Sequence, residues 1–216
     1  MTIDLSLRWQ VIAGDCLEVM RGLPDGCVDA VVTDPPYGIA GAWKGGAGHG
    51  WGGTDSEKSV RNEWDDSAPD AAVWPVLLGL APKVVVWGGN YFPLPPSRCW
   101  FVWNKPERGF TLAEAELAWT NLDAVVRCWD GPRHLSFREH PTQKPLGLMQ
   151  WCIKRLNLAP DTLIVDPYCG SGTTGVAAVQ MGYRFLGIER EPAYVTIARR
   201  RIADAAAQGN LFQEGV

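Results

Sequence analysis

Val165-Asp166-Pro167-Tyr168-Cys169-Gly170-Ser171-Gly172-Thr173-Thr174-Gly175 joins the end of a short apolar run to the start of a helical pattern. Gly170 to Gly175 match G-x-G-x-x-G, and Glu189 lies nineteen residues beyond Gly170, closing the next apolar run. Glycines at these places let the backbone approach a ligand, and the acid can accept hydrogen bonds from ribose hydroxyls. The stretch therefore reads as a strand, a loop and a helix start that together cradle a nucleoside-like cofactor. Forty-one residues follow Gly175, enough for one strand and one or two helices. The other strands of the sheet must come from the N-terminal part, which weighs against an ordinary dinucleotide fold.

Working outward, Val28–Thr33, Lys83–Trp87, Thr162–Val165 and Arg184–Ile188 are short apolar or β-branched runs bounded by Gly, Pro or Asp. Buried parallel strands have this character. Helical patterns lie between them at Leu17–Leu23, Ala71–Leu80, Leu146–Leu156, Thr174–Met181 and Ala193–Ala206. Pro75 predicts a kink or a late start in the second, while Pro145 and Pro192 suit first-turn positions. Alternating strands and helices predict an α/β sheet covered on both faces. Cys99–Asn104, Glu116–Thr120 and Ala124–Trp129 have no helix between them. Asn121-Leu122-Asp123 reads as a hairpin turn joining the last two, so an antiparallel edge is expected.

Composition bounds the rest. A chain of 216 residues fits one domain, 1–216, with a sizeable core. No eighteen-residue apolar stretch is present and Met1-Thr2-Ile3-Asp4 is no signal sequence, so the reading is cytoplasmic, with no membrane partner. Six cysteines without paired spacing read as buried thiols, and no metal site is expected. A net charge of −4 argues against a bulk polyanion binder. Locally, however, Arg127 to Arg155 carries six Lys or Arg against Asp130 and Glu139, beside His134 and His140. Arg199-Arg200-Arg201 reads as a solvated helix face. Gly38 to Gly53 holds eight glycines in sixteen residues and cannot pack a core. It predicts a mobile insertion at about 38–66, either a plain loop or a lid over substrate.

Asp34-Pro35-Pro36-Tyr37 ends the first of the strands, at the carboxyl edge where ligands bind in such sheets. Asp34 supplies a carboxylate acceptor. Pro35 supplies a carbonyl without an N–H, and the paired prolines stiffen the turn. Tyr37 offers a face for a flat ring. Two acceptors and an aromatic face are what an exocyclic amino group on a heterocycle requires. Accepting its hydrogens pulls the nitrogen toward tetrahedral geometry and localises its lone pair for attack on the sulfonium methyl of S-adenosylmethionine. Most of the rate then comes from positioning, for which effective molarities of roughly 10⁵ M are available. The plainer reading is a Pro-Pro turn with an incidental Asp.

Asp34-Pro35-Pro36-Tyr37, then His140-Pro141-Thr142-Gln143-Lys144-Pro145, then the glycine cradle, then Gly187-Ile188-Glu189 form an ordered set. From roughly Leu7 to Arg201 the chain resembles the amino-methylating DNA methyltransferases of the β-type motif order. The resemblance implies a Rossmann-like S-adenosylmethionine-dependent fold with circularly permuted motifs: a mostly parallel, seven-stranded sheet with one antiparallel strand. It implies that Asp34, Pro35, Pro36 and Tyr37 are catalytic. It assigns the cofactor to Asp15 and Cys16, Asp34, Thr142, Gln143 and Lys144, Asp166, Tyr168, Gly170, Ser171, Gly172, Thr173, Thr174 and Glu189. For Asp15 a helix N-cap fits equally, and for Lys144 a solvated surface lysine is the plainer alternative.

Within that family a leading Asp suggests adenine N6, and Ser suggests cytosine N4. The target base must then be flipped from the duplex. Only about ten residues separate Trp129 from His140, so a minimal recognition segment is expected at about 130–140. Arg133, His134 and Arg138 are its candidate DNA contacts, as phosphate clamps before base readers. DNA is the implied partner, with a homodimer and a cognate restriction endonuclease as further expectations. The competing classes are a cytosine-N4 enzyme, a nicotinamide oxidoreductase, a protein or RNA amine methyltransferase, and an inactive nucleic-acid-binding module.

Overall fold

The structure, a computed structural model, describes residues 3–39, 67–106, 108, 113–132 and 143–211. Chain order is β1 (Trp9–Ala13), α1 (Cys16–Arg21), β2 (Ala30–Thr33), α2 (Val73–Leu80) and β3 (Lys83–Trp87). A 3₁₀ turn (Gly89–Tyr91), β4 (Trp100–Asn104), β5 (Ala115–Thr120) and β6 (Arg127–Asp130) follow. The chain then forms α3 (Leu146–Arg155), β7 (Leu163–Asp166), α4 (Thr173–Gln180), β8 (Arg184–Glu189) and α5 (Pro192–Leu211).

The strands make one sheet in the order β1-β8-β7-β2-β3-β5-β4-β6. Only β5 runs against the rest, pairing antiparallel with β3 and β4. The central strands are apolar at nearly every position because both faces are covered. Ala30, Val32, Val85, Trp87, Ile164 and Phe185 pack toward α3, α4 and α5. Val31, Val84, Val86, Val165 and Leu186 point the other way, toward α1 and α2. This is the period-2 alternation of a strand, read on both sides. Each fully buried Val or Leu contributes roughly 1.5–3 kcal/mol by leaving water. α2 starts late, at Val73, so that Pro75 falls in its first turn, where a missing N–H is harmless.

Three expectations are corrected. The described sheet has eight strands, not seven, because β6 adds to the far edge beside β4. Asn121–Asp123 is not a hairpin turn: β6 pairs parallel with β4 at Phe101↔Arg127 through Asn104↔Asp130 and does not pair with β5. The side chains decide this. Asn121 accepts from Val84 N–H through Oδ1 at 2.9 Å and donates to Pro82 O at 3.1 Å, which ties the turn back to β3. The thiols are also mixed: Cys99, Cys152 and Cys169 are buried, Cys16 and Cys27 half-buried, and Cys128 exposed on β6.

One junction orders the site. β2 and β7 are paired neighbours, at Ala30↔Ile164 and Val31↔Val165. The chain leaves β7 toward β8 on one side and leaves β2 toward β3 on the other. Such a reversal opens a crevice at the strands' carboxyl ends. The Asp34 and Asp166 corners therefore share one cleft. No described helix is long and apolar enough to cross a membrane.

Candidate active site

The cleft, of about 840 Å³, is lined by Gly14 to Leu17 after β1, Asp34 and Pro36 after β2, and Gln143 and Lys144 before α3. Asp166 to Ser171 with Thr173 and Thr174 follow β7, and Ile188 to Glu191 with Ala193 and Tyr194 follow β8. Ser67 to Asp70 also line it, a stretch whose place there the sequence does not signal. A Cβ on Gly38, whose φ is +72°, would lie 2.6 Å from Ala68 N. Gly38 and Ala68 are therefore in close contact, and residues 40–66, on which the expected insertion falls, lie outside the described residues.

The cradle is built from backbone. Gly170 takes φ +51° and Gly172 φ +84°, a region L side chains rarely adopt. A Cβ on Gly172 would come within 3.0 Å of Ala198, whereas one on Gly170 would meet nothing within 4 Å. Gly172 is thus glycine for packing, and Gly170 for its turn. Glu189 accepts from Gly170 N–H at 2.8 Å through one oxygen and from Glu191 N–H at 2.9 Å through the other. A carboxylate has about four lone-pair sites, so acceptor capacity remains for a ligand's hydroxyl. Burial raises the Glu189 carboxyl above its ordinary value, and those N–H groups work against the shift. Asp15 caps α1, accepting from Leu17 N–H at 2.9 Å and Glu18 N–H at 3.0 Å. The N-cap reading of Asp15 is thus met, and the residue also lines the cleft.

Asp166 is 2% exposed and structural in its bonds. Its Oδ1 accepts from Thr33 Oγ1 at 2.7 Å and from Tyr168 N–H at 3.1 Å. Burial pushes its carboxyl up to about 6 against those hydrogen bonds. The Thr33 bond ties the last residue of β2 to the last residue of β7.

The Asp34 corner is built from side chains. Tyr37 donates its hydroxyl to Asp34 Oδ1 at 2.8 Å, and Lys144 Nζ donates to Asp34 Oδ2 at 2.7 Å and to Tyr37 Oη at 3.2 Å. The Tyr37 ring stacks on Tyr91 with centroids 5.0 Å apart and planes 19° apart. The open face expected of Tyr37 is thus already in contact with an aromatic ring. Gly88, at φ +68°, is required beside it, since a Cβ there would fall 2.1 Å from Tyr37 Cε1. Burial raises the Asp34 carboxyl, with Lys144 opposing and Glu116 adding to the shift.

Lys144 is not a solvated lysine. It is 7% exposed and bridges Asp34 and Glu116, whose Oε2 lies 3.1 Å away, while Lys105 pairs with Glu116 Oε1. Burial alone would lower the Lys144 ammonium, and the two carboxylates more than reverse that. Burial likewise acts to raise Glu116, but Lys144 and Lys105 hold it at about 2. Lys144 and Glu116 are therefore both ionised near neutral pH.

Glu116, near the start of β5, and Lys105, just past β4, escape a sequence reading because only the order of strands in the sheet brings them beside Asp34 and Lys144. The available signal is a glutamate inside the apolar run Ala115-Glu116-Leu117-Ala118-Trp119. Arg201, half-buried, corrects the solvated reading, whereas Arg199 and Arg200 are exposed as expected. Arg199 donates to Val11 O at 2.7 Å, and Arg201 to Ser171 O at 2.6 Å, Ser171 Oγ at 2.8 Å and Thr173 Oγ1 at 3.3 Å. The second pins the glycine loop. Thr142, Arg133, His134 and Arg138 lie outside the described residues, as does most of the 130–140 segment.

A family model described as DNA methylase matches residues 73–200, taking in the cradle and leaving Asp34 to Tyr37 outside. The chain is similar to type II methyltransferase M2.MboI of Moraxella bovis, 27% identical across 90% of this chain and 87% of the other. It is 29% identical to the putative methylase YubD of Escherichia coli strain K12, across 89% of each. The fold is shared with a putative DNA modification methylase of Thermus thermophilus, at TM-score 0.57, 20% identity and 92% and 95% coverage. That protein is also solved in complex with S-adenosyl-L-methionine. The cytosine-N4-specific PvuII DNA methyltransferase matches at TM-score 0.60, 18% identity and 93% and 92% coverage.

Proposed function

This chain belongs to the DNA methylase family of N6 and N4 amino methyltransferases, and we propose that it methylates the N6 amino group of adenine in DNA, using S-adenosylmethionine. The observation carrying this reading is the shared cleft: the Asp34 and Asp166 corners stand on neighbouring strands, joined by the 2.7 Å Thr33–Asp166 bond.

The residues present fit that cofactor. The cleft volume is in the range of ligand sites, Gly170 leaves backbone open, and Glu189 keeps acceptor capacity for a ribose hydroxyl. Charge separates this cofactor from a nicotinamide dinucleotide. The lining holds Asp15, Asp34, Asp70, Asp166, Glu189 and Glu191 against Lys144 and Arg190. A cleft so acidic favours a cation and opposes a pyrophosphate. When bound, the cofactor supplies an electrophilic sulfonium methyl.

The chain's own residues do the rest. Asp34 accepts an N–H of the target amine, the Pro35 carbonyl accepts the other, and the nitrogen lone pair leaves conjugation with the ring. Tyr91, exposed and stacked on Tyr37, offers stacking for a flipped base, at roughly 1–3 kcal/mol per base–aromatic contact. That offsets part of the few kcal/mol spent on unstacking it from the duplex. Asp at the head of the tetrapeptide supports adenine over cytosine. Arg133, His134 and Arg138 serve as phosphate contacts, and Thr142 with Gln143 borders the cofactor. The short recognition segment supports a short or relaxed target sequence.

Treating unmethylated DNA with the protein and cofactor, then resolving nucleosides, tests this. N6-methyladenine is the expected product. N4-methylcytosine would overturn the adenine assignment, and absence of any methylated nucleoside would overturn the whole reading.

A further inference from the structure

Both oxygens of Asp34 are engaged, Oδ1 by Tyr37 and Oδ2 by Lys144. A carboxylate has about four lone-pair sites, and an amine that approaches along either of these two bonds displaces the donor that holds it. Lys144 is the movable one, because a second carboxylate stands within its reach. Glu116 Oε2 is 3.1 Å from the ammonium, so Lys144 already touches both carboxylates. Its sister oxygen is held by Lys105, which fixes the carboxylate and aims Oε2 at Lys144. The ammonium also sits 5.5 Å from the Tyr37 ring centre and 5.8 Å from that of Trp87.

A buried ammonium stripped of its carboxylate is costly, and Lys144 has a second carboxylate already in contact. We infer that Glu116 is a positioning residue for methyl transfer, providing at Oε2 a second seat to which Lys144 withdraws when the target amine takes Asp34 Oδ2. This rests on the amino-methylation reading above. Breaking a buried ion pair outright is strongly destabilising. Sliding the ammonium between two carboxylates keeps it paired throughout. Lys144 thus keeps the acceptor ionised before substrate arrives, and Glu116 lets it step aside.

The test is a two-residue cycle in the full-length protein, with unmethylated plasmid DNA and S-adenosylmethionine. Glu116→Gln keeps the shape and removes the charged seat. It is expected to lower kcat/KM for DNA by about tenfold or more, leaving calorimetric cofactor affinity unchanged. Lys144→Met removes the ammonium and is expected to be impaired on its own account. The double variant should match Lys144→Met within about twofold, since no ammonium is left to seat. Glu116→Asp, which keeps the carboxylate, should recover much of the loss. The inference is overturned if Glu116→Gln transfers as well as the parent, if the two losses multiply, or if Glu116→Gln loses cofactor binding or its cooperative melt. A parent protein that methylates nothing refutes the underlying reading instead.

Discussion

The two corners of the cleft are made of different materials. The cradle after β7 is a backbone structure: positive-φ glycines, a loop pinned by Arg201, and N–H groups gathered on Glu189. The corner after β2 is a side-chain structure: Asp34, Tyr37, Lys144, Glu116 and Lys105 in one linked network of alternating charge. Backbone groups cannot leave their places, so the cradle is preformed for its ligand. Side chains can exchange partners, so the acceptor corner is satisfied alone and is able to rearrange for the proposed amine. One corner is built for holding and the other for exchange.

Perturbing each corner separately tests that contrast, and the largest effect is expected at Asp34. Asp34→Ala should cut methyl transfer by about 10²–10³-fold or more, while calorimetric cofactor binding stays near the parent value. Loss of both together would show that the corners are not separable.

Next in size is a pH effect centred on Asp166. Its folded-state pKa of about 6 lies above the ordinary 3.8. The stability it contributes is therefore complete below pH 3.8 and lost as pH rises through 6. Across that window the parent should lose about 3 kcal/mol relative to Asp166→Asn, read by urea unfolding at about pH 4 and pH 7. A parallel course for the two proteins would refute it.

Glu189→Ala should mirror Asp34→Ala, weakening cofactor binding by about 10- to 100-fold with a smaller effect on kcat at saturation. The smallest effect is expected where the corners touch. Thr33→Val removes the described hydroxyl bond between β2 and β7, and should cost about 1–2 kcal/mol in chemical denaturation. A cost near zero would mean strand pairing alone aligns the corners.

How much of this is legible in the chain depends on how local the cause is. The cradle can be read almost residue by residue, because Gly170, Gly172 and Glu189 act through backbone conformation and one strand–loop–helix unit. Asp34 to Tyr37 are legible for the same reason. β1 is not, since Trp9–Ala13 mixes a polar Gln10 into a five-residue run near the start of the chain. Glu116 and Lys105 are not legible either, because their meeting with Lys144 depends on which strands lie side by side in the sheet. The hairpin expected at Asn121–Asp123 fails because Asn121 binds back to β3 and not across a turn.

The chain's own pattern determined an α/β sheet, a nucleoside cradle and a polar tetrapeptide at strand ends, since period, glycine placement and strand-end chemistry are set by neighbours in sequence. Tertiary structure decided that Lys144 and Glu116 meet at Asp34. Those contacts join positions 28 and more residues apart in the chain, and only sheet order and strand direction bring such distant side chains into one buried network.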